Sequence, residues 1–150
     1  MSDTLKVDSV IDKDGGELLE VFQHTAAGYQ PLVDFAAWRV AVLNPIEELR
    51  PANIETMQRH EETDEVFVLL KGKCLLYIGA GTDRVTEITP VDLEPLKLYN
   101  VKRMVWHTHT LSADAAVLIV ENRDTTLLNS PQIALDPAQR AFIVAADKGV

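Results

Sequence analysis

The sequence predicts one all-β domain, an antiparallel sandwich or barrel with short peripheral helices, and two observations support that fold class. From Val33 onward the chain divides into short segments rich in aromatic and β-branched residues, separated by turn signals such as Gly72, GAGTD and SAD. Short strands at this spacing are typical of antiparallel sandwiches and barrels. The length of 150 residues suits a single domain with its own core, and neither an internal repeat nor a low-complexity linker divides it.

An N-terminal arm precedes the predicted core. Four of its apolar residues could share one face of a short helix: Leu18, Leu19, Val21 and Phe22. Gly28 and Pro31 would end that helix. We therefore expect an arm over 1–32, a barrel core over about 33–123, and a C-terminal tail and helix over 124–150.

The core segments follow one another as predicted strands. In chain order they are FAAWRVAVLN, NIETMQRH, EVFVLLKG, KCLLYIG, RVTEIT, LKLYNV, MVWHTHTL and AAVLIVEN. EVFVLL and AAVLIV are apolar on both faces, as expected where a sheet is covered on both sides. Together with Trp38 and Trp106, these strands favour a homodimer formed by sheet packing or strand exchange.

The tail LDPAQRAFIVAADKGV predicts a short C-terminal helix. Asp136 is a good N-cap, Pro137 suits the first helical position, and Gln139 completes a capping-box spacing. Three apolar side chains of this helix are expected to pack against the barrel: Phe142, Ile143 and Ala146.

Charge and cysteine content narrow the possible partners and location. The formal net charge of −9 argues against nucleic acid or an anionic membrane as a partner, because both require clustered positive charge. No apolar run approaches membrane-spanning length, and MSDTLKVDSVIDKDGG lacks the apolar stretch of a secretory signal. The single cysteine, Cys74, excludes an intramolecular disulfide. We therefore expect a cytoplasmic protein whose partner is a small molecule.

The densest group of metal-binding residue types lies in MQRHEETDEVF. Gln58 and His60 are two residues apart and would share one face of a strand, and Glu65 begins the next strand nearly opposite His60. A further donor is expected from VWHTHT, where His107 and His109 share one face. Two histidines, a carboxylate and an amide suit zinc, iron, manganese, nickel or cobalt without choosing among them.

These residues resemble the cupin superfamily. The spacing Gln58-x-His60, four residues, Glu65, six residues, Gly72 is similar to the first cupin motif, which reads His-x-His, a short gap, Glu, and Gly after a hydrophobic strand. KLYNVKRMVWHTHTL followed by VLIVEN resembles the second motif, which ends in a metal-binding histidine. The resemblance covers about the central half of the chain and implies a small RmlC-like jelly roll, a fold often found as dimers.

The resemblance implies that His60, Glu65 and His107 are metal ligands. Two departures stand out: Gln58 replaces the first histidine, and Lys102-Arg103-Met104 replaces the usual Pro-x-Gly. Gln-x-His does occur in cupins of the type I phosphomannose isomerase kind, where the glutamine binds zinc. Because an amide oxygen carries no formal charge, we expect a weakly held metal.

Further candidate site residues follow from strand parity. His109 could be an additional ligand, a partner of a ligand or a proton carrier, and a satisfied core histidine is an equal alternative. Tyr99 is a candidate catalytic residue because it precedes the second motif. Four residues are candidates for the substrate pocket: Phe67 and Leu69 as apolar lining, Lys97 at the rim, and Arg103 to bind a carboxylate or phosphate.

Three functions remain open from the sequence. The first is a metal-dependent isomerase, epimerase or dioxygenase that acts on a sugar, a sugar-acid or another hydroxy or carboxylate compound. The second is a non-catalytic module that binds or senses a small ligand, with or without metal. The third is a metal-free protein resembling sugar-nucleotide epimerases, in which a histidine acts as base and a tyrosine faces it. A metal-free polar cluster is the alternative for the site itself.

Overall fold

The computed structural model describes residues 5–147, which form twelve strands, two short 3-10 turns and one α-helix. The strands are β1 Lys6–Ile11, β2 Glu17–Phe22, β3 Gly28–Phe35, β4 Trp38–Asn44, β5 Thr56–Gln58, β6 Glu65–Lys71, β7 Cys74–Ala80, β8 Glu87–Asp92, β9 Tyr99–Val101, β10 Trp106–Leu111, β11 Ala116–Asn122 and β12 Gln132–Ala134. The 3-10 turns are Glu47–Leu49 and Pro51–Asn53, and the helix, α1, is Pro137–Ala146. Within the described residues no helix is long and apolar enough to cross a membrane.

Two five-stranded antiparallel sheets pack face to face, which confirms the predicted all-β fold class. The first sheet, here the site sheet, has the order β12-β5-β10-β7-β8, and the second, here the outer sheet, has the order β3-β4-β11-β6-β9. Their inward side chains form one buried cluster that includes Phe67 and Ile119 from the outer sheet and Leu76 and Leu111 from the site sheet. The barrel interior therefore lies between the two sheets.

The period of two along each strand decides which residues enter that interior. In β6, Glu65, Phe67 and Leu69 are buried, whereas Val66 and Val68 between them are only partly buried. Strand β11 continues the same alternation, since Ile119 pairs with Phe67 and both are at most 2% exposed. The strands predicted to be apolar on both faces therefore present one apolar face to the barrel and one outward.

The N-terminal arm forms a hairpin, so the predicted short helix is wrong. Strands β1 and β2 pair antiparallel across the turn at Asp12–Gly16 and form a sheet of their own. Val10 pairs with Leu19, and both side chains are about half exposed. The apolar spacing in ELLEVF was compatible with either structure, and the pairing with KVDSVI decides it. The barrel strands also extend beyond 33–123, because β3 begins at Gly28 and β12 lies at Gln132–Ala134.

The C-terminal helix begins as predicted. The Asp136 side chain accepts a hydrogen bond from the Gln139 amide, and the Gln139 side chain accepts one from the Asp136 amide, which completes a capping box. Ile143 is fully buried in a second apolar cluster with Met57 and other residues. Ala146 packs against the same cluster, as predicted. Phe142 is 42% exposed and lines a groove between α1 and β8. An α-helix has 3.6 residues per turn, so the residue next to the inward-facing Ile143 points to the side of the helix.

Candidate metal centre

Three side chains converge on one oxygen atom inside the barrel. His60 Nε2 lies 2.7 Å and His107 Nε2 lies 2.9 Å from Oε2 of Glu65. All three residues are at least nine-tenths buried, with exposed fractions of 6% for His60, 4% for Glu65 and 1% for His107. Their ligand atoms lie within 4.8 Å of one another, so the group can hold a metal ion.

The two sheets and one connection bring this group together. Glu65 is the first residue of β6 in the outer sheet, and His107 is the second residue of β10 in the site sheet. Strand β5 ends at Gln58, so His60 lies in the connection between β5 and β6. Gln58 pairs directly with His107 across β5 and β10. The group therefore depends on contact between the two sheets, which brings together Glu65 and His107 from positions 42 residues apart in sequence.

The turn before β10 fixes the His60 backbone. The amide of Met104 donates a hydrogen bond to the carbonyl of His60 over 2.9 Å. Met104 has a φ of 72°, in the left-handed region that a residue with a Cβ occupies at a cost. This is the position where the cupin motif has glycine, which adopts that conformation without strain. Met104 therefore adopts this conformation at a cost in backbone strain.

Asp64 joins the same turn to the connection that carries His60. Its carboxylate accepts hydrogen bonds from Lys102 Nζ at 2.6 Å, from Asn100 Nδ2 at 3.0 Å and from the Arg103 amide at 2.8 Å. These hydrogen bonds lower the pKa of Asp64 to about 2, and the bond from Lys102 contributes most. Asp64 therefore holds the residue next to Glu65 against the turn that leads to His107.

The second ring nitrogen of His107 determines what its Nε2 can do. The carbonyl oxygen of Val105 can only accept, so Nδ1 of His107 donates its hydrogen to that oxygen over 3.0 Å. A neutral His107 then presents a bare Nε2 lone pair to Glu65 Oε2. Two lone pairs at that separation repel unless a proton or a cation lies between them. This donor set fits a divalent cation, because metal-binding histidines usually donate their other N–H to a carbonyl or carboxylate.

His60 has a similar arrangement. Its Nδ1 lies 2.7 Å from the Ser130 hydroxyl oxygen, and that hydroxyl is 3.4 Å from Oδ1 of Asn129. With the hydroxyl hydrogen directed at Asn129, the Ser130 oxygen accepts from Nδ1, and the Nε2 lone pair again faces Glu65. Both imidazoles are therefore held from behind with their Nε2 atoms directed at the same carboxylate.

Protonation compensates these buried groups when no cation is bound. Burial raises the pKa of Glu65, but the hydrogen bonds and charges of His107 and His60 together outweigh burial and lower it to about 2. Burial lowers the pKa of His60, but the hydrogen bond and charge of Glu65, together with the charge of Glu121, outweigh burial, so that the net direction is upward. Protons and metal ions consequently compete for the same lone pairs.

A cavity of about 440 Å³ lies between the two sheets and includes part of this group. Its polar lining includes Gln58, His60, Glu65, His109, Glu121 and Ser130, and its apolar lining includes Leu43, Ile46, Leu49 and Ile119. His107 lines a neighbouring cleft of about 400 Å³ between β5 and β10, and Gln58 and His109 line both spaces. The volume is in the range of small-molecule sites.

A larger groove elsewhere lacks comparable chemistry. It measures about 720 Å³ and lies between β8 and α1, and its lining includes Val85, Ile88 and Phe142. Asp136 in its lining is already engaged as the helix N-cap, and its other charged residues, Arg84 and Glu87, are exposed. Convergent, buried and titratable side chains mark the smaller cavity as the candidate site.

No family model matches this chain, and no curated protein matches it. Among solved structures, the 3,4-ketoisomerase QdtA of Thermoanaerobacterium thermosaccharolyticum, a double mutant in complex with TDP, is 17% identical over 85% of this chain and 83% of its own, with a TM-score of 0.50. A variant of Streptomyces PAC13 with uridine is 8% identical over 75% of this chain and 83% of its own, with a TM-score of 0.50. The chain has a cupin-type fold.

Within this cupin-type barrel, four further predicted site residues lie beside or directly behind the group of His60, Glu65 and His107. Gln58 lines the same cavity as His60 and Glu65. His109 also lines it, and its Nδ1 is buried with no hydrogen-bond partner among residues 5–147. Phe67 packs its ring against His107 and His109, with ring centroids 6.0 and 5.6 Å apart. Leu69 belongs to the apolar core, so Phe67 and Leu69 support the site from behind and do not line the cavity.

Burial also determines the state of His109. Complete burial lowers its pKa to about 4, with His107 acting in the same direction and Glu65 opposing it. His109 is therefore a neutral imidazole at physiological pH, without the carbonyl partner that orients His107.

The remaining predicted site residues lie elsewhere in the cupin-type barrel. The Tyr99 hydroxyl accepts a hydrogen bond from the Glu94 amide at 2.9 Å, and the ring lines a smaller apolar space with Leu76. Lys97 pairs with Glu94 at the surface. Arg103 is exposed and donates to the Glu61 carbonyl at 3.3 Å. Strand β9 is the edge strand on one side of β6, with Tyr99 paired to Phe67, whereas the cavity is lined from β11, β4 and β3 on the other side of β6. Tyr99, Lys97 and Arg103 therefore do not line the cavity with Glu65.

Among the cavity residues that were not found from the sequence, three form hydrogen bonds at the site. Ser130 lies in the connection between β11 and β12, 70 residues from its partner His60, where no pattern signals it. Glu121 does carry a signal, because it is a charged residue at an inward position of the apolar strand β11. Burial and the negative charge of Glu65 raise its pKa. Tyr29 donates a hydrogen bond to Glu121 from β3, in a segment that the sequence placed outside the core.

Proposed function

We propose that this cupin-type protein binds a divalent metal through His60, Glu65 and His107 and acts on a polar small molecule in the adjoining cavity. The observation that carries the proposal is the convergence of two imidazole Nε2 atoms on one buried carboxylate oxygen, 2.7 and 2.9 Å away. A buried group of this kind is costly to maintain without a ligand, because each lone pair requires a cation or a proton.

Gln58 is the proposed fourth ligand. It pairs with His107 in register and lines the cavity beside His60 and Glu65. A neutral amide in place of a third imidazole gives a weakly held zinc, nickel, manganese, iron or cobalt ion. When bound, such an ion supplies Lewis acidity for isomerase or epimerase chemistry, or redox chemistry with dioxygen if it is iron.

The cavity residues around the proposed metal define what the chain itself contributes. His109 is a neutral base inside the cavity with a free ring nitrogen, so it can accept a proton from a bound molecule. The apolar residues Leu43 and Ile119 exclude water from one side of the ligand. QdtA and PAC13 hold TDP and uridine in their structures, which agrees with a barrel that accepts a small molecule. A cytoplasmic location, in keeping with the single buried thiol of Cys74, completes the proposal.

A test begins with the metal content of protein purified without an affinity tag or chelator. We expect near-stoichiometric metal in the wild type and its loss in His60→Ala and His107→Ala, with circular dichroism unchanged. His24→Ala is the matched control, because His24 bonds to the Gly28 carbonyl and does not line the cavity. Equal metal in all four proteins would reject the proposal. Ligand-induced stabilisation without product after long incubation would favour the non-catalytic binding module instead.

The outer sheet supports a homodimer as part of this proposal. Six outward side chains at the middle of its three central strands are aliphatic and partly buried: Val40, Val42, Val66, Val68, Leu118 and Val120. Neighbouring outward positions on the same sheet are uncharged, among them Trp38 and Asn122. With a formal net charge of −9, an uncharged face lets two copies meet without strong repulsion. A face of five strands measures roughly 500 Å² in projection. This area is of the same order as the roughly 800 Å² of accessible surface that each partner contributes to a standard interface.

A charge on this face tests the dimer. Val120→Lys should convert the wild-type dimer to a monomer in sedimentation equilibrium, because the buried ammonium would have no partner. Thr89→Lys, which changes an exposed residue of β8 in the site sheet, is the matched control and should stay dimeric. A wild type that is monomeric at micromolar concentration would reject the dimer.

A further inference from the structure

The cavity beside the candidate metal centre has a polar end and an apolar end. Its titratable side chains are buried, since His60, Glu65 and His109 are at most 8% exposed. Apolar side chains line it from the interior outward, because Ile119 is 2% exposed whereas Leu127 is 79% exposed. An exposed residue that lines a cavity lies at its mouth. The mouth of this cavity is therefore apolar.

Two connections between strands form this mouth. The connection from β4 to β5 contributes Ile46 and Leu49, which are both partly buried. The connection from β11 to β12 contributes Leu127, together with its neighbours Thr125 and Thr126. Leu127 belongs to a loop and is largely exposed, so packing between the two sheets does not account for a leucine at this position.

The hydroxyl groups near Leu127 are engaged within their own loop. The Thr125 hydroxyl donates a hydrogen bond to the Asn122 carbonyl over 2.8 Å. The Thr126 hydroxyl accepts one from the Leu128 amide over 3.2 Å. Because the loop itself occupies these polar groups, the surface that remains for a ligand at the mouth is mainly apolar.

The buried end of the cavity requires a polar ligand. The proposed cation at His60, Glu65 and His107 takes oxygen or nitrogen donors, which can be neutral or anionic. Beside it, Nδ1 of His109 is buried and has no hydrogen-bond partner within residues 5–147. A molecule that fills the cavity therefore meets polar groups at one end and apolar groups at the other. The apolar lining selects for the second end and is indifferent to the charge of the first.

We propose that the cavity takes an amphipathic small molecule, whose oxygen-bearing end lies at the metal group and whose apolar substituent contacts Leu127, Ile46 and Leu49 at the mouth. Burial of that substituent stabilises the complex and covers the exposed Leu127. A volume of about 440 Å³ has room for both parts of such a molecule. A free sugar, which has an oxygen on every carbon, lacks this apolar surface. The inference rests on the proposed function for the location of the site and names its substrate class.

A series of ligands with a constant polar end tests the inference. The probes are α-hydroxy acids of increasing chain length: glycolate, lactate, α-hydroxybutyrate, α-hydroxycaproate and α-hydroxycaprylate. Each is titrated into full-length, zinc-loaded protein at a fixed concentration of free zinc. The methyl NMR signal of Ile119, at the buried end of the apolar lining, reports binding. Affinity should rise about fourfold for each methylene group that is buried, and it should level off once the chain extends past the mouth.

Leu127 and its neighbour Leu128 offer a matched pair of variants. Both are exposed, at 79% and 96%, but of the two only Leu127 lines the cavity. Leu127→Ala should weaken binding of α-hydroxycaproate by about fivefold, as expected if about 40 Å² of leucine surface is covered, and should leave glycolate binding unchanged. Leu127→Met keeps an apolar side chain of similar size and should restore most of the affinity. Leu128→Ala should bind the whole series as wild type does.

Three results would overturn the inference. They are an affinity that does not rise with chain length, equal losses for glycolate and α-hydroxycaproate in Leu127→Ala, and losses of the same size in Leu128→Ala. The series is repeated on protein after metal removal, where every affinity should fall while the gain for each methylene remains, because the apolar mouth does not depend on the metal. Failure of the inference is therefore separate from failure of the metal proposal, which the metal contents of His60→Ala and His107→Ala decide.

Discussion

Removing the Ser130 hydroxyl perturbs the candidate metal centre without touching a ligand atom. The Ser130 oxygen lies 2.7 Å from His60 Nδ1, and both residues are more than nine-tenths buried. Ser130→Ala therefore leaves a buried ring nitrogen unpaired. Such a group costs about 1–3 kcal/mol of stability, and lost orientation of a metal-binding histidine costs about 10- to 100-fold in metal affinity. That affinity range corresponds to about 1.4–2.8 kcal/mol.

Two measurements separate these effects. Urea unfolding of metal-free protein gives the stability change, and competition with a chromophoric chelator at fixed pH gives the change in zinc affinity. Ser130→Thr retains a hydroxyl and should recover most of the affinity. Ser112→Ala is the matched control, because Ser112 bonds to Asp114 and the Lys73 amide away from the site. It should lose some stability and no affinity.

One outcome would refute the reasoning about His60. If Ser130→Ala lowers stability but binds zinc as tightly as wild type, the bond to Ser130 does not orient the ring for metal. Unchanged stability in the metal-free protein would contradict the hydrogen bond itself.

Four further predictions follow from other parts of the structure. Asp64→Ala removes three hydrogen bonds to the turn before β10, so we expect about 1–3 kcal/mol lower stability by urea unfolding and weaker zinc binding; an unaltered zinc affinity would contradict the coupling. Met104→Gly relieves a φ of 72° and should raise stability by about 0.5–1 kcal/mol in thermal unfolding, whereas a lower melting temperature would show that no strain is stored there. Ile143→Ala empties a fully buried position and should cost about 2–5 kcal/mol, and Val144→Ala, at a site 49% exposed, should stay near wild type. Burial lowers the pKa of His109 from 6.5 to about 4, so the stability that neutral His109 contributes is fully present above pH 6.5 and lost as the pH falls towards 4. The unfolding free energy of metal-free wild type minus that of His109→Asn should decrease by about 3 kcal/mol over that interval. Parallel pH profiles of the two proteins would contradict this.

Local features of the sequence were sufficient for much of the fold. The capping box at Asp136 and Gln139 involves residues three apart, so it is visible in the sequence and present in the structure. Strand parity in EVFVLL similarly placed Glu65, Phe67 and Leu69 on one face, and the structure buries all three. The N-terminal hairpin was missed because ELLEVF has a spacing that either a helix or a strand accepts. Only its pairing with KVDSVI, through contacts such as Val10 with Leu19, distinguishes the two.

The candidate site divides in the same way. Chemistry that belongs to a residue and its near neighbours, such as the donor types of Gln58, His60 and Glu65, was determined by the sequence alone. The tertiary structure decided that Ser130 supports His60, that Glu121 and Tyr29 enter the cavity, and that Tyr99, Lys97 and Arg103 do not. The physical reason is that the partners of a side chain in a barrel depend on strand register and on the path of connections. These are set by many cooperative contacts over the whole core, and no short stretch of sequence contains them.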